Sequence, residues 1–319
     1  MRLGVCLDLY QGVPFEEILD DVARYGYEAV EFCVDRTAGL FDAADIIKPG
    51  VAARIKHATR QRGLAVTAIR NSAEGQLVLG PHHRDTDRFY EGTPEEKIAH
   101  GIERMILSAQ AAGALEVPVV CGFCGCEDYS RWFPWPDPEG WERMAPAFVE
   151  RWGAILDAFV KEGVVFAQEC HPKQYAYNTE TALETVRLLG GRKEWGFNLD
   201  PANLMLSGVD PVVFAQALAS RVYNVHAKDG EVVAHNVARS GLLAHGDWRR
   251  PDRGFRFRVP GWGDVAWRSL ITELALAGYD GAIAFEHEDP TMGKQDGLEK
   301  AIAYLRPLII HERFPGRWW

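Results

Sequence analysis

Residues 164–203 read VVFAQECHPKQYAYNTETALETVRLLGGRKEWGFNLDPAN. Two short runs in this stretch, 164–169 and 195–199, are apolar almost throughout, as a parallel strand is when both of its faces are buried. Residues 179–189 between them repeat apolar side chains at helical spacing and predict a helix. Strand, loop, helix and second strand in one stretch make a single unit of a parallel α/β sheet. Each strand ends at a carboxylate, Glu169 in one case and Asp200 in the other.

Working outward, the same unit recurs along the whole chain. Strand-like runs at 3–7, 29–34, 65–70, 117–122, 222–227 and 282–286 join the first two, which makes eight. Helical stretches at 14–25, 43–62, 94–112, 138–162, 179–189, 210–219, 264–277 and 295–311 alternate with them. Thr93-Pro94-Glu95-Glu96 supplies an N-cap, a proline in the first helical position and acids in the first turn. Asp210-Pro211 opens a helix in the same way. Gly26, Gly63, Gly113, Gly163 and Gly278 stop helices ahead of strands. Eight repeats favour a closed (β/α)₈ barrel over an open doubly wound sheet. No GxGxxG opens a helix after the first strand, so the dinucleotide-binding sheet loses its main support. The expectation is one barrel domain over residues 1–319, with extended loops at 71–92, 124–138 and 229–263 after strands three, four and seven.

The bulk composition agrees. The chain has 319 residues, 47% hydrophobic and 25% charged, within the range of a globular protein that buries a large core. Its formal net charge is -10, from 45 acidic and 35 basic residues. A nucleic-acid partner would need a basic stripe, so none is expected. The six cysteines fall mostly in apolar runs, where they act as small hydrophobes. The N-terminus MRLGVCLDLY enters a strand at once, without the basic and apolar regions of a signal peptide, and no apolar run is long enough to cross a membrane. These readings point to a reducing cytoplasm, a small-molecule partner and no membrane partner, with homo-oligomerisation left open.

Four consecutive strands end in metal-ligand side chains. The fifth supplies Glu169 and His171, the sixth Asp200 and Asn203, the seventh His226, Lys228 and Asp229, and the eighth Glu286, His287 and Glu288. In a closed barrel, neighbouring strands converge at the C-terminal mouth, where barrel enzymes hold their active sites. Glu169, Asp200, His226 and Glu286 there form three carboxylates and an imidazole that need a compensating cation. Mixed oxygen and nitrogen donors suit one divalent ion: Mn²⁺ first, with Mg²⁺, Co²⁺ or Zn²⁺ as alternatives. The competing reading, rim carboxylates that pair with lysines or cap helices, explains less well why all four end apolar runs.

These motifs, Glu169, LDPAN around Asp200, VHAKD around His226 and FEHEDP around Glu286, resemble the xylose isomerase-like barrel superfamily. That group includes ketose 3-epimerases, hydroxypyruvate isomerase, inosose dehydratase and endonuclease IV. The resemblance covers essentially the whole chain and implies a TIM barrel with Glu169, Asp200, His226 and Glu286 as metal ligands. It also implies that Glu169 and Glu286 serve as an acid/base pair across one substrate carbon. The expected activity is a metal-dependent sugar isomerase or epimerase that abstracts a proton next to a carbonyl through a metal-stabilised enediolate. The alternative is a lyase or dehydratase that expels a β-leaving group from a keto-sugar, 3-oxo-glycoside or keto-inositol. One departure stands out: where the epimerases have a histidine three residues after the metal aspartate, this chain has Asn203, which can hydrogen bond but not titrate.

His171, two residues beyond Glu169 and on the same side of an extended strand, is a candidate catalytic base or substrate contact. Asn203, Lys228, His245 and Trp262 are candidate substrate-binding residues, with Trp248 a similar candidate. The aromatic run 131–136, RWFPWP, can stack on sugar C–H faces, form a subunit contact or simply pack its own loop. Cys121, Cys124 and Cys126 lack a second matched pair and read as packing residues. His82, His83 and Asp85 are expected to face solvent, and His287 to face the helices.

Overall fold

The structure, a computed structural model, describes residues 1–312 and 316, with the side chains of Ser130 and Trp132 outside that description. Eight parallel strands close into a barrel: β1 (Arg2–Cys6), β2 (Ala29–Cys33), β3 (Ala65–Arg70), β4 (Val119–Gly122), β5 (Val165–Glu169), β6 (Trp195–Leu199), β7 (Val222–Ala227) and β10 (Ala282–Phe285). Val5 of β1 pairs with Phe285 of β10 and Val30 of β2, which seals the ring. Two further strands, β8 (Asp229–Val232) and β9 (Phe255–Arg258), form a separate antiparallel ribbon after β7.

The strands are buried because helices cover the outside of the ring. Trp152, on the helix Ala145–Glu162, stacks on Phe166 of β5 with centroids 4.4 Å apart and meets Trp195 of β6 edge-on at 5.2 Å. Aromatic pairs of this kind lock the fifth and sixth units, and with them the strand ends that carry Glu169 and Asp200. The six cysteines are buried free thiols.

Four expectations need correction. The helix expected at 43–62 is two, Ala43–Ile46 and Val51–Arg60, parted at Gly50, whose φ of 82° no regular helix accommodates. The long segment at 71–92 is not plain loop: Asn71 accepts from Glu74 N–H at 3.2 Å and caps a helix, Ser72–Leu79. The segment at 229–263 folds into the β8–β9 ribbon around a helix, Ala234–Ser240. Its ribbon is closed by Asp229, which accepts from Gly261 N, Val265 N and Trp267 Nε1. The helix expected from 138 begins at Ala145, after a short 3₁₀ turn at Glu142–Met144. A helix that the sequence reading did not anticipate, Pro201–Leu206, starts directly behind Asp200, whose carboxylate accepts from Asn203 N–H at 3.0 Å as its N-cap. No described helix is long and apolar enough to cross a membrane.

Candidate active site

Alternation along the strands decides which side chains enter the barrel. Glu169 closes β5, Asp200 follows β6, His226 sits next to last in β7, and Glu286 follows β10. All four turn inward at one level of the mouth. His226 Nδ1 lies 3.1 Å from Glu286 Oε2, 3.4 Å from Glu169 Oε2 and 3.9 Å from Asp200 Oδ2. One donor atom from each residue lies within 4.8 Å of all the others. Metal bonds of about 2 Å hold donors at most about 4 Å apart, so small side-chain adjustments complete such a set.

The electrostatics state the same requirement. Burial and the neighbouring Glu169 and Glu286 push the Asp200 carboxyl up to about 7, against the pull of Lys228. Burial acts to lower the His226 pKa, yet the surrounding Cys6, Glu286, Glu31 and Glu169 drive it well above the ordinary imidazole value. The Glu286 carboxyl is held far below its usual range because Lys228, His226 and Arg70 outweigh its burial. Asp200 and His226 are thus both shifted toward their protonated forms: the cluster is short of positive charge, which a divalent cation would offset. Hard oxygen donors with one imidazole, buried and converging, fit such an ion.

A second layer holds these ligands. Glu31 on β2, 1% exposed, accepts from His226 Nε2 at 3.0 Å and from Asn224 Nδ2 at 2.7 Å. This leaves Nδ1 as the nitrogen that faces the carboxylates. Asn198 donates to Glu169 Oε2 at 3.0 Å, and Asn203 to Glu169 Oε1 at 2.6 Å and Asp200 Oδ2 at 3.0 Å. Asn203 Oδ1 is buried without a partner. Arg70 at the end of β3 donates from Nη1 to Glu286 Oε1 at 2.7 Å and pairs through Nη2 with Asp8. Lys228 bridges Asp200 Oδ2, Glu286 Oε2 and Glu288 Oε2 at 2.8–2.9 Å, and does not pair with Asp229.

The sequence reading passed over Glu31, Arg70 and Asn198. Each left a signal: a charged or amide residue inside an otherwise apolar strand demands a buried partner. The partners lie on other strands, however, and only the closed ring identifies them.

A cavity of about 560 Å³ opens over the cluster, and Glu169, Glu286, His171, Asn203, Lys228 and Arg70 contribute to its lining. His171 Nδ1 donates to the Pro172 carbonyl at 2.5 Å, so a neutral ring carries its lone pair on Nε2. Burial lowers its pKa, although Glu169 opposes this, and favours the neutral form. Phe123 lies 5.2 Å from the His171 ring.

The late loop is placed elsewhere. His245 and Trp262 do not line this cavity; both are exposed, and the His245 carbonyl accepts from Arg250. Trp248 packs on Phe257 and under Arg253, within the excursion itself. Phe133 and Trp135 are exposed at 69% and 74% and lie outside the cavity lining, and the side chain of Trp132 is outside the described residues. His82 is bonded to the Leu77 carbonyl, whereas Asp85 reaches the cavity edge. His287 Nε2 meets the Gly293 carbonyl at 3.2 Å.

Comparison with known proteins agrees with this fold. The profile of the xylose isomerase-like TIM barrel family matches residues 19–308. The uncharacterized protein YfiH of Bacillus subtilis is 25% identical over 97% of this chain and 99% of its own. An inosose dehydratase of Geobacillus thermodenitrificans is 25% identical over 50% of this chain and 56% of its own. Among solved structures, the probable 3-DHS dehydratase AsbF of Bacillus anthracis superposes with a TM-score of 0.68 at 19% identity, covering 96% of this chain and 99% of that one. The 3-keto-D-glucoside 4-epimerase YcjR of E. coli gives 0.67 at 13% identity, with 96% and 99% covered. At these identities the structural matches speak for the fold alone.

Proposed function

The chain belongs to the xylose isomerase-like TIM-barrel family, and from that premise we propose that it is a divalent-metal-dependent sugar isomerase or epimerase that moves a proton at a carbon next to a carbonyl. The family's members include sugar epimerases and dehydratases, so enzymatic activity on a sugar or polyol is the first expectation. The observation that carries the reading is the pairing of Glu169 and Glu286, two carboxylates that face one imidazole nitrogen and line one cavity.

Glu169, Asp200, His226 and Glu286 would hold the ion. When bound, it supplies Lewis-acid polarisation of the substrate carbonyl and offsets the carboxylate charge. The remaining work belongs to side chains. Glu169 and Glu286 accept and return a proton on the two sides of the carbon placed between them. Each is aimed by fixed donors, Asn203 and Asn198 on Glu169, Arg70 and Lys228 on Glu286. The Lys228 ammonium stands ready for negative charge that develops on the substrate oxygen. The unpartnered Asn203 Oδ1 offers a substrate hydroxyl an acceptor. Incubation with ketoses in D₂O should place deuterium at one carbon. Turnover without exchange and without a primary isotope effect would point to a hydride shift or hydrolysis and end this reading.

One observation favours a second reading, elimination from a keto-sugar. His171 lines the cavity with its free Nε2 outside the ligand set, the arrangement that a base independent of the ion requires. The two readings share proton abstraction and part at its second step, which either returns a proton or expels a leaving group.

A further inference from the structure

A second space adjoins the mouth cavity at Arg70. A second chamber of about 430 Å³ opens between the segments that follow β1 and β2, and Cys33, Thr37, Ala38 and Arg70 line both spaces. The Arg70 guanidinium stands at the junction. One end is committed to Glu286 in the reacting cavity and the other to Asp8 in the second chamber, while Nε is buried with no hydrogen-bond partner.

Local contacts fix the walls of the second chamber. Leu40 gives it an apolar side, with Asp8, Gln11 and Thr37 as polar contributors, while Leu7 and Phe32 lie buried behind them. Phe32 is braced edge-on by Phe15 and Phe41 at 6.1 and 5.4 Å. The segment 35–40 is tied down by Asp35, which accepts from Thr37 N at 2.9 Å and Ala38 N at 2.7 Å, and by Leu40 N on the Cys33 carbonyl at 3.0 Å. Gly39 permits that turn because a Cβ there would lie 2.2 Å from the Asp35 carbonyl oxygen. A largely polar lining with one apolar side suits a ring that is hydroxylated around its rim and apolar on its C–H face. Each of the two volumes by itself is of ligand size.

We propose that the second chamber is a sugar subsite and that the substrate has two linked units, one reacting at Glu169 and Glu286 and the other seated against Leu40 and Gln11. This rests on the sugar-processing reading and adds the size and shape of the substrate to it. A bare monosaccharide would leave the second chamber to water.

The test is calorimetric titration of the Mn²⁺-loaded full chain with D-fructose and with the glucosyl-fructoses turanose, maltulose, leucrose and palatinose, which differ only in linkage. At least one disaccharide should bind about tenfold or more tighter than D-fructose. Gln11→Trp, at an exposed position in the second chamber only, should reduce that disaccharide to the D-fructose affinity and leave D-fructose unchanged. Equal affinities for all sugars in the wild-type protein, or a Gln11→Trp effect as large on D-fructose, would overturn the proposal. If D-fructose binds and every disaccharide is excluded, the subsite fails while the sugar reading stands. If the protein takes up Mn²⁺ and no sugar at all, both fail together.

Discussion

Glu31→Gln changes one atom in the second layer and should weaken metal binding by about 10- to 100-fold, the usual worth of a carboxylate behind a metal-ligating histidine. The structure says how. Glu31 accepts on both oxygens, from His226 Nε2 at 3.0 Å and Cys121 Sγ at 3.3 Å on one, and from Asn224 Nδ2 at 2.7 Å on the other. A glutamine must turn its NH₂ toward one of these donors. Turned toward His226, it requires Nε2 to accept and moves the ring proton to Nδ1, the nitrogen that faces Glu169, Asp200 and Glu286. Turned toward Asn224, it sets two amide NH₂ groups against each other, at about 1–3 kcal/mol for the unmet buried group. The first orientation disfavours the form of the site that accepts a cation, and both lose the carboxylate charge behind His226; the expected weakening corresponds to about 1.4–2.8 kcal/mol, at 1.4 kcal/mol per tenfold. The assay is a chelator-competition titration with Mn²⁺ at constant pH, with circular dichroism as the check on folding. A folded Glu31→Gln protein whose Kd stays within about threefold of wild type would refute the orienting role.

Other outcomes follow from the same geometry. Asp200→Ala should abolish metal uptake measured by elemental analysis, yet cost only about 1 kcal/mol in denaturant unfolding through the lost N-cap of the helix Pro201–Leu206. His171→Ala, assayed for kcat and KM at full metal occupancy, should lower kcat by about 10²–10⁴ if the enzyme eliminates, and raise KM modestly if it epimerises. Asp35 is buried, which by itself raises its pKa, but the Cys33 thiol and the Thr37 and Ala38 donors outweigh that and hold it below the usual carboxylate value. A depressed carboxylate stabilises the fold above its unfolded pKa and loses that contribution as pH falls through the folded one. Wild-type Tm should therefore fall more steeply than that of Asp35→Asn in the acid range, and parallel curves would contradict it.

How far the sequence could be read depended on whether a residue's partner lay nearby in the chain. The ring of eight strands was legible because buried parallel strands are continuous apolar runs and each unit carries its own caps and stops. Glu169, Asp200, His226 and Glu286 were legible for the same reason, as polar residues that end such runs. Asn71 and Gly50 show the limit of periodicity: one starts a helix inside an expected loop, and the other splits an expected helix. His245 and Trp262 were attractive by residue type, but the segment after β8 leaves both exposed and away from the mouth cavity, while Phe255 and Phe257 of the ribbon pack with Ala202 and Leu206.

Glu31, Arg70 and Lys228 mark the boundary between what a strand reveals and what a closed barrel adds. In an isolated β2, Glu31 would be an anomaly: a carboxylate with 1% exposure and no partner within its own unit, at a cost of several kcal/mol. Closing the ring brings β7 across the barrel, and His226 and Asn224 turn that cost into orientation. Arg70 does the same between β1 and β10, since the guanidinium that satisfies Asp8 also aims Glu286. Lys228 spreads one positive charge over three carboxylates, two of which belong to the candidate metal set. Each of the three groups tolerates burial only because strands distant in sequence meet at the mouth. The cross-strand contacts that satisfy Glu31, Arg70 and Lys228 are therefore the same ones that fix the positions of His226, Glu286 and Asp200 at the mouth.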